Sequence, residues 1–531
     1  MPVKLLLTAI VIIICILLNK LSSKLGIPML LGFILLGMFF GSDGIVKIPF
    51  DNYAFAEQIC SVALIFIMFY GGFGTSWKEA KPVALKAALL STLGVMMTSG
   101  LTGIFCRFVL GIDWLESLLV GAVIGSTDAA SVFSILRAKR LNLKYNTASL
   151  LEVESGSNDP CSYMLTAVII AVMNGSAKGA SLAYMLFSQI IYGIGLGVVI
   201  ALACVWAMKK IRFTTEGFDT VFVVAAALLA YSAPAALGGN GYLSVYILGI
   251  ILGNARLNNK VTLVHFFDGV TGLMQMLVFF LLGLLSFPSR LPQVVFPALA
   301  IALFLTFIAR PAAVFAILFP FKSKVSQELV VSWAGLRGAA SIVFAIMAVM
   351  QVSTKNDIFH IVFCIVLFSI LLQGSLLPLV SKKLDMLDDE GDVLKTFTDY
   401  TDEVPVQFIQ SSITSEHPWC GSKLADILMP PDTIAALLKR GTEKIVPNGS
   451  TVLLAGDKLI LCAKSPAHVE GVFLSERELK GKDEWIGKTL LELPGMDDKL
   501  IIMIQRNDRI IIPKGNTVLM KNDVLVMNHS E

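Results

Sequence analysis

Apolar stretches long enough to cross a lipid bilayer occupy the chain from its first residues to about residue 381. Of the 531 residues, 56% are hydrophobic and only 15% are charged, a composition that soluble globular domains do not have. Since a spanning helix needs about 17–25 mostly apolar residues, we predict an α-helical polytopic membrane protein with about thirteen spans. The predicted spans are residues 4–19, 27–41, 53–71, 82–105, 114–136, 148–172, 181–208, 218–236, 240–254, 262–286, 293–319, 327–350 and 357–381.

Basic residues in the loops predict how these spans are oriented. Alternate loops hold most of the lysines and arginines, whereas the loops between them hold few. Because basic loops are usually cytoplasmic, we expect the N-terminus outside the cell and the C-terminal domain in the cytoplasm. The basic loop residues are Lys20, Lys24, Lys78, Lys81, Arg137, Lys139, Arg140, Lys144, Lys209, Lys210, Arg212, Arg256, Lys260, Lys322, Lys324, Lys382 and Lys383.

The sixth span carries charged residues, which are rare within a membrane and indicate a functional site. Glu154 and Asp159 lie in an apolar stretch, where a charged side chain costs about 2.5–3.5 kcal/mol on insertion scales. Ser155 and Asp159 share one helical face, which we interpret as a cation site of carboxylate and hydroxyl. A carbonyl freed by the following proline is a further candidate ligand. Glu154 and Asn158 share a second face, about 100° around the helix, which we interpret as a brace.

Two further spans are interrupted by polar residues and glycines. In the fifth span Thr127 and Asp128 break an apolar run, and in the twelfth Arg337 stands between two glycines. Such breaks in well-separated spans point to discontinuous helices that meet at a site near the membrane midplane. Unwound backbone is tolerated there only where it lines a cavity or is buried in protein. We interpret Ser126 and the many glycines as residues that permit close helix packing.

These motifs, taken in order, resemble the cation/proton antiporter-1 family, which includes bacterial NhaP-type and eukaryotic sodium/proton exchangers. They are Asn158-Asp159 with Glu154 before them, Thr127-Asp128 one span earlier, Arg310 on the eleventh span, and Gly-Leu-Arg-Gly on the twelfth. The resemblance covers roughly residues 4–381. With the tail included, the whole chain resembles the cell-volume-regulation protein A type of bacterial potassium/proton antiporter.

The resemblance implies an NhaA-like fold, with inverted repeats, a dimerisation domain, and a core in which the fifth and twelfth spans unwind and cross. It also implies a multi-pass protein of the bacterial cytoplasmic (inner) membrane that forms a homodimer. Two residues depart from the family pattern: Ala129 stands where many relatives have proline, and Tyr70 stands where some place an acid before Gly71-Gly72. Both departures bear on the choice of cation.

Family roles carry over to the residues that match. Asp159 would take either the cation or the proton, and Asn158 and Ser155 would support it. Thr127 and Asp128 would supply oxygens from the crossing. For Asp128, binding through the side chain, binding through the backbone carbonyl and simple packing all stay open. Only a monovalent cation is expected, at Asp159 and Asp128.

The remaining buried charges are interpreted as structural. Glu154 would form an ion pair with Arg310, and Arg337 would support the break in the twelfth span by satisfying loose carbonyls. Glu152 is interpreted as an accessory residue at a water-filled edge.

The tail repeats itself: residues 419–424 reappear as 485–490, 66 positions later, followed by matches of 446–452 to 512–518 and of 457–459 to 523–525. Each copy is predicted to contain a short helix, two strands around a turn, a Pro-x-Gly turn and a last strand. The pattern resembles TrkA-C domains in tandem, the C-terminal half of potassium-uptake regulators (RCK). We therefore predict a transmembrane antiporter domain at 1–384, a linker at 385–402, a TrkA-C-like regulatory domain at 403–475, and a second, weaker repeat at 476–531.

The function of the tail stays open between two alternatives. It is either a cytoplasmic regulator, which could bind a small ligand, or a domain for assembly and stability. No G-x-G-x-x-G follows a predicted strand there, so the sequence does not predict a Rossmann nucleotide module.

The leading hypothesis for the whole chain is a secondary transporter, not an enzyme. A carboxylate in a poorly hydrated cavity lowers its cost by binding a proton or a dehydrated cation, and it cannot bind both. If only loaded forms cross, K⁺ or Na⁺ is exchanged for H⁺, and the asparagine before the aspartate is associated in the family with electroneutral exchange. The rivals are a ligand-gated cation channel and a membrane sensor with a vestigial transporter core. We expect no cofactor and no nucleic acid, and membrane lipid as a partner.

Overall fold

In the computed structural model, the chain divides into two compact units, Met1–Tyr400 and Thr401–Glu531. The structure describes residues 2–25, 29–138, 141–176, 178–211, 217–255, 257, 260–388, 406–415, 417–430, 433–441, 443–464, 473–479, 483–493, 499–506, 509–511, 513–521 and 523–529. Four of the basic loop residues, Lys139, Arg140, Arg212 and Arg256, and the predicted linker from residue 389 onward lie outside these ranges.

The described part of the first unit is helical. Seven of its helices could cross a membrane by length and composition: Tyr53–Gly74, Ala84–Phe108, Ala180–Lys210, Phe218–Ala236, Lys260–Leu285, Pro288–Phe321 and Ile358–Lys383. The predicted helical, polytopic class is therefore confirmed, and the number of spans stays a prediction. The helices are α1 (Pro2–Leu25), α2 (Met29–Phe40), α3 (Tyr53–Gly74), α4 (Trp77–Ala80), α5 (Ala84–Leu89), α6 (Val95–Phe108), α7 (Trp114–Val123), α8 (Ala129–Ala138), α9 (Thr147–Met173), α10 (Ala180–Lys210), α11 (Phe218–Ala236), α12 (Gly241–Asn254), α13 (Lys260–Leu285), α14 (Leu291–Phe304), α15 (Arg310–Leu318), α16 (Val325–Trp333), α17 (Ala339–Gln351), α18 (Ile358–Phe368) and α19 (Ser375–Lys383).

Two predicted spans are interrupted where the sequence predicts breaks, and each forms a pair of shorter helices. Residues 124–128 separate α7 from α8, and residues 334–338 separate α16 from α17. The two unwound segments lie against each other, because the Asp128 N–H donates to the Leu336 carbonyl at 2.8 Å. Unwound backbone in a membrane needs partners inside the protein, and here each break supplies a partner to the other.

π-helical turns interrupt three more helical stretches, at Leu90–Gly94, Leu305–Ala309 and Ser369–Gly374. Prolines explain two of them. Pro311 and Pro378 each lack the N–H that would bond the carbonyl four residues earlier, and those carbonyls lie within the second and third turns. A π turn absorbs such a gap without ending the helix, and such turns are frequent near functional sites.

The scaffold around the breaks depends on close approach of α3 and α12. A side chain on Gly72 would collide with the backbone carbonyl of Tyr246, and one on Gly249 would collide with that of Phe69. Small residues allow helix backbones to come this close in a membrane. The contact fixes α3, which carries Tyr70, beside α12, which also packs on α9.

The last described residues of the first unit are bonded to the segment that leads into α9. In the tail root (residues 384–388), the Met386 carbonyl accepts from the Lys144 N–H at 2.9 Å, and the Asp388 N–H donates to the Asn142 carbonyl at 3.0 Å. The Met386 side chain is fully buried, and Lys144 Nζ lies 3.0 Å from Asp385 Oδ1. The tail root therefore anchors the end of the helical unit four residues before α9 begins.

The second unit contains two four-stranded antiparallel sheets with the same strand order. The first runs β1-β4-β2-β3 and the second β5-β8-β6-β7, and both carry a bulge at an equivalent position, between Ala435 and Leu437 and between Ile501 and Met503. The strands are β1 (Val406–Ser412), β2 (Thr433–Arg440), β3 (Glu443–Ile445), β4 (Lys458–Lys464), β5 (Phe473–Glu478), β6 (Lys499–Arg506), β7 (Arg509–Ile511) and β8 (Val524–His529).

The sheets differ from the predicted repeat unit in two ways. Each has an additional first strand, β1 or β5, which pairs with the last strand of its own copy, and β5 crosses the boundary placed between residues 475 and 476. The two first strands share no sequence pattern, so the repeat alone did not indicate them. The short helix of each copy is a single 3-10 turn, Leu424–Asp426 or Leu490–Glu492.

Candidate functional site

A cavity of about 330 Å³ lies where the break between α7 and α8 meets the middle of α9. Its polar side chains come from α3, the break between α7 and α8, α9 and α13, and its apolar lining comes from α2, α3, α8 and α17. The lining residues with polar side chains are Tyr70, Ser126, Thr127, Asp128, Glu152, Ser155, Asp159, Asp268, Thr271 and Gln275. Among the described lining residues, four carry a carboxylate and none carries a basic side chain.

Asp159 forms part of the cavity wall and is 9% exposed. Its Oδ1 accepts a hydrogen bond from Ser126 Oγ at 2.5 Å. Hydrogen bonds to a carboxylate are shorter and stronger than bonds between neutral groups, so Ser126 fixes the orientation of this carboxylate. The sequence predicts for Ser126 only a role in close helix packing; its contact with Asp159 adds a direct polar role.

The neighbours of Asp159 on α9 hold the unwound segment of the fifth span. Ser155 Oγ donates to the Thr127 carbonyl at 2.6 Å, and Asn158 Nδ2 donates to Thr127 Oγ1 at 2.5 Å. Ser155 and Thr127 line the cavity, whereas Asn158 is fully buried and is not among the residues that line it. Residues on both faces of α9 therefore form hydrogen bonds with the same residue, Thr127.

Asp128 lies on the cavity wall at the N-terminal end of α8. Its carboxylate accepts from Ser131 Oγ at 2.5 Å and from the Ser131 N–H at 3.3 Å, as a capping residue does at a helix N-terminus. Any side chain at Gly338 would collide with this carboxylate, so the second glycine of the twelfth-span motif makes room for Asp128. The side chain of Asp128 thus faces the cavity while it also caps a helix.

Arg337 connects the two breaks and is not among the residues that line the cavity. Its side chain is fully buried, and Nη1 donates to the carbonyls of Gly125 at 2.9 Å and Ser126 at 2.5 Å. Carbonyls at the end of a helix have no partner within it, and a cation near a helix C-terminus is favoured by the helix dipole. The guanidinium therefore satisfies carbonyls of the unwound segment that follows α7, and the Arg337 N–H donates to Ser369 Oγ at 3.0 Å.

Glu154 and Arg310 form a buried ion pair beside the site. Arg310 Nη2 lies 2.5 Å from Glu154 Oε1, and the two side chains are 3% and 0% exposed. Neither residue is among those that line the cavity. A buried pair of this kind is costly to break but is no evidence of a net gain in stability, so its contribution is to hold α9 against α15.

The oxygen atoms around the cavity suit a hard cation. Carboxylate, hydroxyl and carbonyl oxygens are the ligands that alkali and alkaline-earth ions prefer. Asp159, Asp128, Ser126, Ser155 and the backbone of the fifth-span break provide oxygens of all three kinds around one space.

Comparison with known proteins places this chain in a family. Residues 8–383 match the transmembrane sodium/hydrogen exchanger family, and residues 408–467 and 474–527 each match the TrkA-C domain. The chain belongs to the sodium/hydrogen exchanger family. Family membership makes it a secondary transporter and supports cation/proton antiport, as the sequence analysis predicts. The tandem TrkA-C resemblance is also confirmed.

Individual relatives agree with this membership. The chain is 35% identical over 493 residues to the K(+)/H(+) antiporter NhaP2 of Shewanella sp. strain ANA-3, covering 90% of this chain and 84% of the relative. It is 34% identical over 447 residues to the K(+)/H(+) antiporter NhaP of Alkalimonas amylolytica, covering 83% of this chain and 78% of that protein. It is 26% identical over 362 residues to the low-affinity Na(+)/H(+) antiporter NhaS1 of Synechocystis, covering 63% and 66%.

A solved structure supports the fold. The sodium proton antiporter MjNhaP1 of Methanocaldococcus jannaschii superimposes with a TM-score of 0.64 over 72% of this chain and 99% of its own, at 24% sequence identity. At that identity the likeness shows the antiporter fold of the helical unit and nothing finer.

The structure also adds residues that the sequence analysis did not assign to the site. Tyr70 Oη donates to Asp268 Oδ1 at 3.1 Å, and both line the cavity. Asn240 Nδ2 donates to the Pro160 carbonyl at 2.9 Å, which anchors α9 one residue after Asp159. The charge of Asp268 within an apolar span was the signal available in the sequence. Its partner Tyr70 is 198 positions away, and one sequence alone gives no sign of such a pairing.

Proposed function

We propose that this chain exchanges a monovalent cation for a proton across the bacterial cytoplasmic membrane, with K⁺ as the main cation and Na⁺ as a second substrate. Relatives matched over most of the chain are named K⁺/H⁺ antiporters, which supports K⁺. A more distant relative, the cyanobacterial NhaS1, is named a Na⁺/H⁺ antiporter, which supports Na⁺ as the alternative.

One observation carries the proposal: Asp159 shares a membrane cavity with three other carboxylates and with no basic side chain among the described lining residues. Buried charges without partners are too costly to persist. The cavity therefore favours states in which a proton or a dehydrated cation compensates the negative charge. Because both compete for Asp159, the passage of only loaded forms couples the two fluxes in opposite directions.

The site residues take the following roles in this proposal. Asp159 binds the cation or the proton, and Ser155, Thr127 and Asp128 contribute oxygens. Asn158 supports the site by holding the Thr127 hydroxyl, a contact of 2.5 Å, and exchange is electroneutral.

The buried arginines have structural roles in the proposal. Glu154 pairs with Arg310 to brace α9, and Arg337 supports the helix breaks, as their distances favour. No cofactor is required, because the transported ions supply all the charge that moves.

We further propose an NhaA-like arrangement of inverted repeats. The support for it is a repeated order of elements within the chain. The first series is a stretch with a π turn (84–108), a broken helix (114–138) and α9. The second series has the same order: a stretch with a π turn (288–321), a broken helix (325–351) and the helix at 358–383. Thirteen spans, an outer N-terminus, a cytoplasmic tail and a homodimer complete the proposed architecture. The tail, whose two sheets span residues 406–464 and 473–529, acts as a regulator that takes a small cytoplasmic ligand.

The proposal is tested in proteoliposomes by following internal pH when K⁺, Na⁺ or Li⁺ is added outside. Saturable, cation-dependent proton movement is expected for the intact protein, and no movement for Asp159→Asn, which retains the size of the side chain and removes its charge. Both proteins should be recovered as folded, monodisperse material with equal thermal stability. Cation flux without proton movement would instead indicate a channel, and no flux of either ion would indicate a sensor. Exchange retained in Asp159→Asn would exclude Asp159 as the coupling carboxylate.

A further inference from the structure

One face of α13 is polar although the helix is otherwise apolar. This face is formed by Asp268 and by the residues three, four and seven positions after it, which are Thr271, Gly272 and Gln275. Residues with this spacing lie on one side of a helix. All four line the cavity that contains Asp159. A polar face turned toward a cavity is the usual reason for polar residues to persist within a membrane span.

Asp268 stands at the more open end of this cavity. It is exposed, whereas Asp159 is 9% exposed and Thr271, one turn beyond Asp268, is 8% exposed. At about 1.5 Å per residue, Asp268 lies about 12 Å along α13 from Lys260, the first residue of the helix. The Thr271 hydroxyl has no hydrogen-bond partner in the described part of the chain. The face thus leads from an accessible carboxylate to a buried hydroxyl and onward to the site.

Tyr70 orients Asp268. The Tyr70 side chain is 7% exposed and donates to Asp268 Oδ1 at 3.1 Å. A carboxylate offers about four lone-pair sites, so this bond leaves Asp268 able to accept a cation. Tyr70 also occupies the position at which an acid would have stood before Gly71-Gly72, and its hydroxyl reaches the acid on α13 instead.

We infer that Asp268, held by Tyr70, forms an outer cation station that collects the cation at the cavity mouth and determines the apparent affinity for it. This inference rests on the proposed antiport function. A negative charge in a low-dielectric cleft raises the local concentration of cations, and this effect is independent of the coupling step at Asp159. Asp268 acts before that step. Its loss therefore raises the cation concentration needed for half-maximal exchange and leaves the maximal rate unchanged.

The test compares Asp268→Asn, Asp268→Glu and Tyr70→Phe with the intact protein in cation-driven proton flux. We expect Asp268→Asn to raise the KM for K⁺ by about tenfold at low ionic strength, since focusing fields raise local ion concentrations by about 10-fold or more. The maximal rate should stay within a factor of about two, Asp268→Glu should restore a KM close to that of the intact protein, and Tyr70→Phe should raise KM by less. Glu79→Gln, on α4 and outside the cavity lining, is the matched control and should change neither.

Ionic strength separates a cation station from a structural role. Screening shortens to about 10 Å at 0.1 M salt, so adding choline chloride should reduce the KM ratio between Asp268→Asn and the intact protein. An unchanged KM in Asp268→Asn, or a lower maximal rate at constant KM, would overturn the inference. If Asp268→Asn is not recovered in folded form, an unchanged KM in Tyr70→Phe overturns it equally. Asp159→Asn in the same liposomes shows independently whether antiport itself stands.

Discussion

At the scale of single residues, the contacts of Asp159 distinguish this proposed coupling carboxylate from the groups that hold it in place. The carboxylate meets Ser126, a neutral donor, while the two buried arginines contact other partners: Arg310 meets Glu154, and Arg337 meets the carbonyls of the fifth-span break. An arginine beside Asp159 would favour its charged form permanently. Its absence from the described cavity lining leaves Asp159 free to exchange one cation for another.

The ion pair between Glu154 and Arg310 gives a prediction on stability. Glu154→Ala should destabilise the protein, because removing one partner of a buried pair typically costs about 3–5 kcal/mol. The KM for K⁺ should change little, since neither residue lines the cavity. Thermal unfolding of the purified protein in detergent and proton flux in liposomes measure the two effects.

The control for this prediction is the double variant Glu154→Gln/Arg310→Met, which removes both charges. It should recover part of the stability lost in Glu154→Ala, because no buried charge is left unpaired. A Glu154→Ala protein that is as stable as the intact one, with only its cation dependence shifted, would place Glu154 in the transport site.

The sequence was informative about residues that are near one another on a helix and uninformative about partners on distant helices. Four-residue spacing put Ser155 and Asp159 on one face, and both do line the cavity. The same spacing places Asn158 on another face, yet Asn158 and Ser155 both bond to Thr127, because the backbone and the side chain of this unwound residue reach different faces of α9. The bond between Tyr70 and Asp268 depends on how α3 and α13 pack, which helical periodicity does not encode.

At the scale of elements, the helix breaks were predictable and the π turns were not. Glycine next to a buried polar residue weakens a helix locally and marked both breaks. A π turn leaves the apolar pattern continuous, so Leu305–Ala309 was read as ordinary helix despite Pro311. In the tail, the conserved spacing of turns marked the repeat, whereas β1 and β5 carried no shared pattern and were missed.

The two tail sheets contain the same interaction, between a partly exposed arginine and a buried aspartate, 66 residues apart. Arg440 donates from Nε and Nη2 to Asp457 at 2.8 and 2.7 Å, and Arg506 donates in the same way to Asp523 at 2.8 and 2.7 Å. Each arginine also bonds an equivalent carbonyl, of Val452 or Val518. The hydrogen bonds from Arg440 lower the pKa of Asp457. The pKa of Asp523 is also lowered: burial opposes the shift, but the bonds from Arg506 and the Met520 N–H outweigh it.

These paired interactions give a prediction in which each sheet is the control for the other. Arg440→Met should speed amide exchange severalfold in β2 and β4 of the full-length protein and leave β6 and β8 unchanged, and Arg506→Met should do the reverse. The pKa values of both aspartates are lowered in the folded state. The stabilisation of each sheet by its ionised aspartate is therefore complete above the unfolded-state pKa of about 3.9 and is lost as pH falls below that value. Hydrogen exchange with peptide resolution measures both the effect of each variant and its dependence on pH. Equal changes in both sheets would mean that the tail unfolds as one unit.

At the scale of the whole molecule, the candidate ion site and the TrkA-C domains lie in different parts of the chain. All candidate ion ligands precede residue 340, and the TrkA-C matches begin at residue 408. The tail root lies between them in the sequence, and its residues 384–388 bond to the segment just before α9, which carries Asp159. A regulator can shift the states of a transporter only through contacts that differ between those states, and the tail root is positioned to make such contacts with α9.

Deleting residues 403–531 should therefore leave ion coupling intact and change how exchange responds to internal pH. The deletion removes neither a cavity residue nor the tail root, so the Asp159 site and its approach through Asp268 are retained, whereas any bias exerted by the tail is lost. Proton flux is measured against internal pH for both proteins at matched quantity in liposomes, with Met386→Ala in the full-length chain to weaken the tail root alone. That variant should shift the profile toward that of the deletion. Identical profiles for all three proteins would leave the tail only an assembly role, and loss of exchange in a folded deletion protein would make the tail part of the transport machinery.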